Sequence, residues 1–299
     1  MSVWPESLTR AYAACETLAR SHYENFPVAS YLLPAPMRPH VAAVYAFARI
    51  ADDMADEGTA PPAERQASLK AWQDRLHREV EGTGSAAEGE GDQLIVAALA
   101  HSIRSLDLPI SLFDDLISAF GQDTMTSRYA SWADVLDYCR RSANPVGRLV
   151  LRIAGYRGDE GLDRSSDALC TALQLTNFWQ DFGRDWRAGR LYVPLDEQRA
   201  VGATEADLVH GRMTDRWAAA IAECVGVTRT LFQDGRAVCD GVHGRLGLEL
   251  RFTWLGGARI LERVERTRLT LLDYRPALGK GDAPLLVWRA LSWKRVNGS

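Results

Sequence analysis

Apolar residues recur at three- and four-residue spacing along nearly all of the 299 residues, and runs of alternating β-branched residues are hard to find. A chain with this period buries one stripe of each helix and has no pleated face to offer a sheet, so the reading is all-α. The pattern predicts helices over 6–20, 38–57, 62–81, 92–106, 109–122, 132–156, 164–187, 214–243, 247–272 and 284–293. Within "RRSANPVGRLVL", Pro145 lacks an N–H and its ring clashes with the preceding turn, which predicts a kink near Ala143 and Asn144. A kinked inner helix is suited to lining a cavity. The stretch "EGTGSAAEGEGD" at 81–92 reads as a loop. It is too short to prove a domain boundary and no fixed-period repeat is present, and the length permits either two average domains or a single helical domain over 1–299.

The apolar fraction of 46% and charged fraction of 25% are those of an ordinary soluble protein. No apolar run reaches the roughly 18 residues of a spanning helix, and the opening residues lack a basic-then-apolar signal pattern. A cytoplasmic location is therefore expected, with no nucleic-acid partner. Five cysteines without a CxxC spacing argue against a disulfide framework or a sulfur-ligated metal, so Cys15, Cys139, Cys170, Cys224 and Cys239 are read as reduced thiols. The net charge of −4 is uneven, because residues 245–299 hold eleven Lys/Arg against five Asp/Glu. Such a stretch either solvates the last helices, the commoner role, or lies against an anionic membrane surface. Only three of the 35 basic residues are lysines, which leaves anion recognition to arginine or a metal.

"ADDMADEG" at 51–58 places acidic residues at the end of an apolar helix. Helical spacing puts Tyr45, Arg49, Asp52, Asp53 and Asp56 on one ridge. Carboxylates four residues apart stand roughly 5–6 Å from each other and repel by about 3 kcal/mol at an effective dielectric near 20. A cation between them removes that cost. The geometry recurs in "LQLTNFWQDFGRDW" at 173–186, where Asn177, Gln180, Asp181, Arg184 and Asp185 share a face. One such pair is ordinarily a solvated face with local salt bridges. Two pairs, each set in aromatic and aliphatic sequence, suit Mg²⁺, a hard ion that prefers oxygen and commonly bridges carboxylates to phosphates.

"YAFARIADDMAD" resembles the first aspartate-rich motif, and "LQLTNFWQDFGRDWRAGRLYVP" the second, of the squalene and phytoene synthase family of head-to-head prenyl synthases. The resemblance runs from about His22 to Leu272. It implies one all-α isoprenoid-synthase-type domain with a central cavity, and Mg²⁺ held by Asp52, Asp56, Asp181 and Asp185. It also implies diphosphate contact by Arg49 and assistance from Asn177 at the second site.

The departures narrow the reading. Condensing members usually read Tyr-Val-Ala-Gly where this chain has "CRRSANPVG", so their catalytic tyrosine falls at Arg141 and their glycine at Asn144. Their Ser-x-Ser-Phe segment is "HYENF" here, and their arginine before the second motif is Gln180. "HYENFPVAS", "ADDMADEG" and "YCRRSANPVG" are in keeping with the hydroxysqualene-forming branch found in bacterial hopanoid pathways. The resemblance implies ionisation of presqualene diphosphate with Mg²⁺, rearrangement of the cation and capture by water, giving hydroxysqualene and pyrophosphate. Full head-to-head condensation, as in squalene or phytoene synthase, is the alternative.

On this reading Arg141, Asn144 and Tyr45 are catalytic candidates, while Arg49, Phe26, Asn177, Gln180 and Tyr138 bind substrate. Aromatic faces attract cations, and Phe26, Tyr45, Phe47, Phe178, Trp179, Phe182 and Trp186 are candidates for the cation's wall, at least half of them expected to be plain core. Water capture needs a polar group, and Arg141, Ser142 and Asn144 stand at the predicted kink. His22 is a further phosphate or water contact, though a lone histidine is more often structural. No GxGxxG follows a strand, which argues against a Rossmann dinucleotide site. That no NADPH is used is implied by the resemblance, through the altered tyrosine and arginine positions at Arg141 and Gln180. Release of so apolar a product points to peripheral membrane contact.

Overall fold

The helical period is realised throughout the computed structural model, which describes residues 4–21, 32–56, 60–84 and 89–294. In chain order the helices are α1 (Glu6–Ser21), α2 (Arg38–Asp56), α3 (Pro62–Val80), α4 (Asp92–Leu106), α5 (Ser111–Asp123), α6 (Trp132–Ser142), α7 (Asn144–Ile153) and α8 (Glu160–Gln180). They continue as α9 (Phe182–Arg187), α10 (Leu195–Val201), α11 (Glu205–Val209), α12 (Asp215–Asp234), α13 (Arg236–Gly241), α14 (Gly244–Arg266) and α15 (Ala283–Leu291). The described residues hold no strand, only an isolated bridge between Arg128 and Leu191. None of their helices is long and apolar enough to cross a membrane.

Two compact units emerge, Met1–Met125 with Pro145–Asp159, and Thr126–Asn144 with Glu160–Ser299. In the first, α1, α2 and α4 are tied by a polar knot in an otherwise apolar interior. The Tyr12 hydroxyl lies 2.8 Å from His101 Nδ1, 3.2 Å from His40 Nδ1 and 2.9 Å from Ser102 Oγ. Phe47 of α2 stacks on Trp72 and meets Phe113 edge-on, which fastens α3 and α5 to the same helix. The second unit is built round α8, whose Leu162, Leu169, Ala172 and Leu175 are buried. Cys15, Cys139, Cys224 and Cys239 are buried and Cys170 is half-buried, none of them in a disulfide.

Helix boundaries follow local chemistry where it is strong. Ser131 and Asp134 cap α6 reciprocally, and the break predicted by Pro145 falls at Ala143. Elsewhere tertiary contacts decide. The expected helix 214–243 is interrupted at Gly235, where an added Cβ would stand 2.6 Å from the backbone nitrogen of Leu169 on α8. Ser165 bridges that interruption, its Oγ accepting from Val238 N at 2.8 Å and donating to Asp234 O at 3.0 Å. The short helices α10 and α11 lie in a stretch for which the sequence pattern predicts none. α10 sits between Pro194 and the left-handed Gly202, and both helices are too short to show a period.

Candidate active site

The first acidic motif ends α2. Its inner face buries Val41, Val44, Phe47, Ala51 and Ala55. The other face carries Tyr45, Arg49, Asp52 and Asp53, all half-buried, and then the exposed Asp56. Arg49 partly balances this charge: its Nη1 lies 3.5 Å from Asp52 Oδ2, and it forms a close ion pair with Asp53. Burial works to lower the basicity of Arg49, but attraction by Asp53 and Asp52 outweighs it. Burial also raises the Tyr45 phenol, with Arg49 opposing and the two carboxylates adding, so Tyr45 is a neutral donor at physiological pH. Beside it lies an apolar cavity of about 110 Å³, lined by Val41, Val44, Tyr45 and Ala48 of α2 and by Val146, Leu149, Val150 and Ile153 of α7. The helix after the kink thus lines a cavity, within the first unit.

The second motif departs from an unbroken helix 164–187. α8 ends at Gln180, Asp181 has φ −92° and ψ 10°, and α9 follows. Asp185 N still donates to Asp181 O at 2.9 Å, which keeps the two aspartates one turn apart. Gln180, which helical spacing puts on their face, is 5% exposed, and its Nε2 donates to Pro276 O at 2.6 Å. Asn177 is exposed. Asp181 is gripped by Arg275, whose Nη2 donates to Oδ2 at 3.1 Å and whose Nε meets Oδ1, with Arg184 3.6 Å away. The hydrogen bond to Asp181 raises the basicity of Arg275 against the effect of burial. Sequence spacing misses Arg275 because it lies 94 residues from its partner, in a loop without a period.

Around the break at Ala143, the polar candidates part company. Asp137 holds Arg141 through Nε at 3.1 Å and Nη2 at 2.9 Å, and also binds Arg140, so its carboxyl is held below the usual range by Arg140 first and Arg141 second, against burial. Asn144 is 9% exposed, and its Oδ1 accepts from Thr171 Oγ1 at 2.9 Å. The Ser142 hydroxyl is buried without a hydrogen-bond partner. One turn earlier, Tyr138 joins an aromatic cluster with Tyr129, Phe178 and Tyr192, in which Phe178 and Tyr192 stack at 3.7 Å. Phe47, Trp179 and Phe182 are packed as core, while Trp186 lies under the guanidinium of Arg128. Phe26 and His22 lie outside the described residues.

These motifs sit inside a longer match, since residues 19–282 fit the squalene/phytoene synthase family. The chain belongs to that family. A hydroxysqualene synthase of Zymomonas mobilis is 37% identical over 252 residues, covering 83% of this chain and 82% of the relative. A phytoene synthase of Thermus thermophilus is 33% identical and covers 78% and 76% respectively. Among solved structures, the squalene synthase HpnC from Alicyclobacillus acidocaldarius matches with a TM-score of 0.81 at 40% identity, over 89% of this chain and 97% of that one. The fold is therefore of the isoprenoid-synthase type.

The Mg²⁺ implied for this synthase can be tested against its donor set. Asp52, Asp56, Asp181 and Asp185 offer only carboxylate oxygen, are exposed or half-buried, and include two groups whose charge arginines already balance. Among the described residues no three His, Cys, Asp or Glu side chains are gathered into a ready cage. Oxygen-only, water-accessible pairs fit an ion that keeps part of its water shell and takes phosphate as a further ligand.

One glycine sets the second motif against its neighbour. A Cβ on Gly183 would stand 2.1 Å from Leu272 O and 2.7 Å from Leu271 O, and Arg187 Nη1 donates to Leu272 O at 2.9 Å close by. Gly183→Ala is expected to destabilise the synthase by about 1–3 kcal/mol, the cost of overpacking, read as a lowered thermal midpoint. An unchanged midpoint would show that the 271–272 backbone yields freely.

Proposed function

We propose that this synthase converts presqualene diphosphate to hydroxysqualene and pyrophosphate in a Mg²⁺-dependent reaction, as a carbon–oxygen lyase. The observation that carries this reading is the helix break after α6. Where condensing relatives place a catalytic tyrosine, this chain has Arg141 bound to Asp137, followed by Ser142 with an unpartnered buried hydroxyl. Hydroxysqualene synthases at 37% and 33% identity, each covering about four fifths of this chain, support it.

In the proposed reaction the C–O bond to diphosphate breaks heterolytically, and the electron pair leaves with the diphosphate. Mg²⁺, when bound by Asp52, Asp56, Asp181 and Asp185, supplies positive charge to the departing group. Arg49 beside Asp52, and Arg275 beside Asp181, are each able to donate to a diphosphate oxygen at their own motif. Asn177, exposed on α8 one turn before Asp181, assists at the second motif. Tyr45, a neutral phenol in the lining of the apolar cavity, donates a hydrogen bond without adding charge. The cavity beside it takes part of the isoprenoid chain, and Tyr138 and Phe178 give an electron-rich surface to the cation. Water adds to the rearranged cation and loses its proton, so no hydride donor is consumed. The reading puts the enzyme in the cytoplasm, in contact with a membrane surface for release of its apolar product.

A relative named phytoene synthase at 33% identity favours a second reading, condensation of two prenyl diphosphates. Incubation of the purified chain with Mg²⁺ and either presqualene, farnesyl or geranylgeranyl diphosphate separates the two. Only presqualene diphosphate is expected to react. Presqualene diphosphate or phytoene arising from the shorter substrates would replace the first reading by the second.

A further inference from the structure

Helix α15 presents its apolar stripe outward. Pro284, Val287, Trp288 and Leu291, spaced i, i+3, i+4 and i+7, form one face about 10 Å long. Trp288 is 66% and Leu291 69% exposed among the described residues, the reverse of an ordinary surface helix.

The helix is not a frayed end, because both of its ends are fastened. Asp282, just before it, is 5% exposed; it accepts from Arg263 Nη2 at 2.7 and 2.6 Å and from Arg259 Nε at 3.2 Å. Just after it, Trp293 Nε1 donates to Asp240 Oδ1 at 2.7 Å, and its ring lies 5.5 Å from Trp254 and 3.9 Å below the Arg236 guanidinium. Ala290 faces inward at 0% exposure. The fold therefore holds the apolar face in place towards solvent.

Charge identifies what that face fits. From 276 to 294 the exposed ionic groups are Lys280, Arg289 and Lys294, and the only acid is the buried, doubly paired Asp282. An exposed tryptophan within an apolar stripe bordered by cations matches the boundary of an anionic bilayer, where the indole sits at headgroup level and the cations meet lipid phosphate. We propose that α15 is a docking helix that seats the protein on an anionic membrane surface through Val287, Trp288 and Leu291. A neutral or cationic protein partner would not use the cationic border, and a second copy of this chain would bring like charges together.

The test is co-sedimentation of the full chain with phosphatidylcholine vesicles made with and without phosphatidylglycerol. Binding is expected to be at least about tenfold tighter to the anionic vesicles. The double variant Trp288→Ser/Leu291→Ser is expected to weaken it by at least about tenfold. The triple variant Lys280→Gln/Arg289→Gln/Lys294→Gln is expected to abolish the preference for anionic lipid. It leaves the apolar stripe intact, and so reads the proposal even if the double variant folds poorly. No binding to either vesicle, or wild-type binding by both variants, would overturn the proposal. So would a dimer in sedimentation velocity that the double variant dissociates and that does not bind vesicles, which would make the face a self-association surface. The assay contains no substrate and reads no turnover, so its failure leaves the proposed reaction untouched.

Discussion

Asp52→Asn and Asp181→Asn should each lower turnover of presqualene diphosphate by about 10²–10³-fold or more, the scale on which loss of one charge-stabilising group is felt. Both substitutions preserve shape and remove charge, so the loss reports on the ion and not on packing. The cost to the fold should be small. Asp52 faces Arg49 at 3.5 Å with 42% of its side chain exposed, and the Arg275 partner of Asp181 is also 42% exposed. Exposed pairs of this kind contribute about 0–1 kcal/mol, and the relief of repulsion within each acidic pair offsets part of that. Asp74→Asn is the control, an ordinary i, i+4 pair in which Lys70 Nζ meets Asp74 Oδ1 at 2.6 Å on the surface of α3. It should leave both turnover and Mg²⁺ affinity unchanged. Calorimetric titration of Mg²⁺ with pyrophosphate gives a second readout, in which the two motif variants bind more weakly than wild type. Near-normal turnover in both at saturating Mg²⁺ would remove these aspartates from the reaction.

What the sequence made legible follows from the range of the forces involved. Long helices are written in a local period, and the break at Ala143 is written in Pro145, whose missing N–H acts on its own turn. The interruptions at Asp181 and Gly235 have no local cause. Gly183, just after the first, packs against the carbonyls of Leu271 and Leu272, and Gly235 packs against α8, contacts that leave no pattern in the neighbouring sequence. The same limit applies to the site. Arg49 was visible as the neighbour of Asp52 on one helical face, whereas Arg275 reaches Asp181 across 94 residues. Gln180 shows the opposite error of the helical wheel: the spacing assigns it to the aspartate face, but the helix stops there and the amide turns to Pro276. The polar residues at the break were legible as a group, though not their separate engagements with Asp137 and Thr171.

Those engagements bear on the fate of the cation. If water ends the reaction, presqualene diphosphate with Mg²⁺ in ¹⁸O-labelled water should give hydroxysqualene carrying solvent oxygen, and added NADPH should change neither rate nor product. Squalene formed only with NADPH would exclude capture by water, and unlabelled alcohol would mean that the C–O bond never broke. A water next to a cation needs a hydrogen-bond partner with spare capacity, in a cavity that otherwise excludes solvent. Arg141 is already committed to Asp137 and Asn144 to Thr171, whereas the Ser142 hydroxyl is buried without a partner, the kind of group that an ordered water satisfies. Ser142→Ala should therefore slow alcohol formation by about tenfold or divert the cation to an elimination product, at little cost in stability, because no hydrogen bond within the protein is lost. Asn144→Gly removes the acceptor of a buried Thr171 hydroxyl and should instead cost about 1–3 kcal/mol of stability. An unchanged product profile in Ser142→Ala together with a diverted one in Asn144→Gly would move the water from Ser142 to Asn144, whose Oδ1 is held by Thr171.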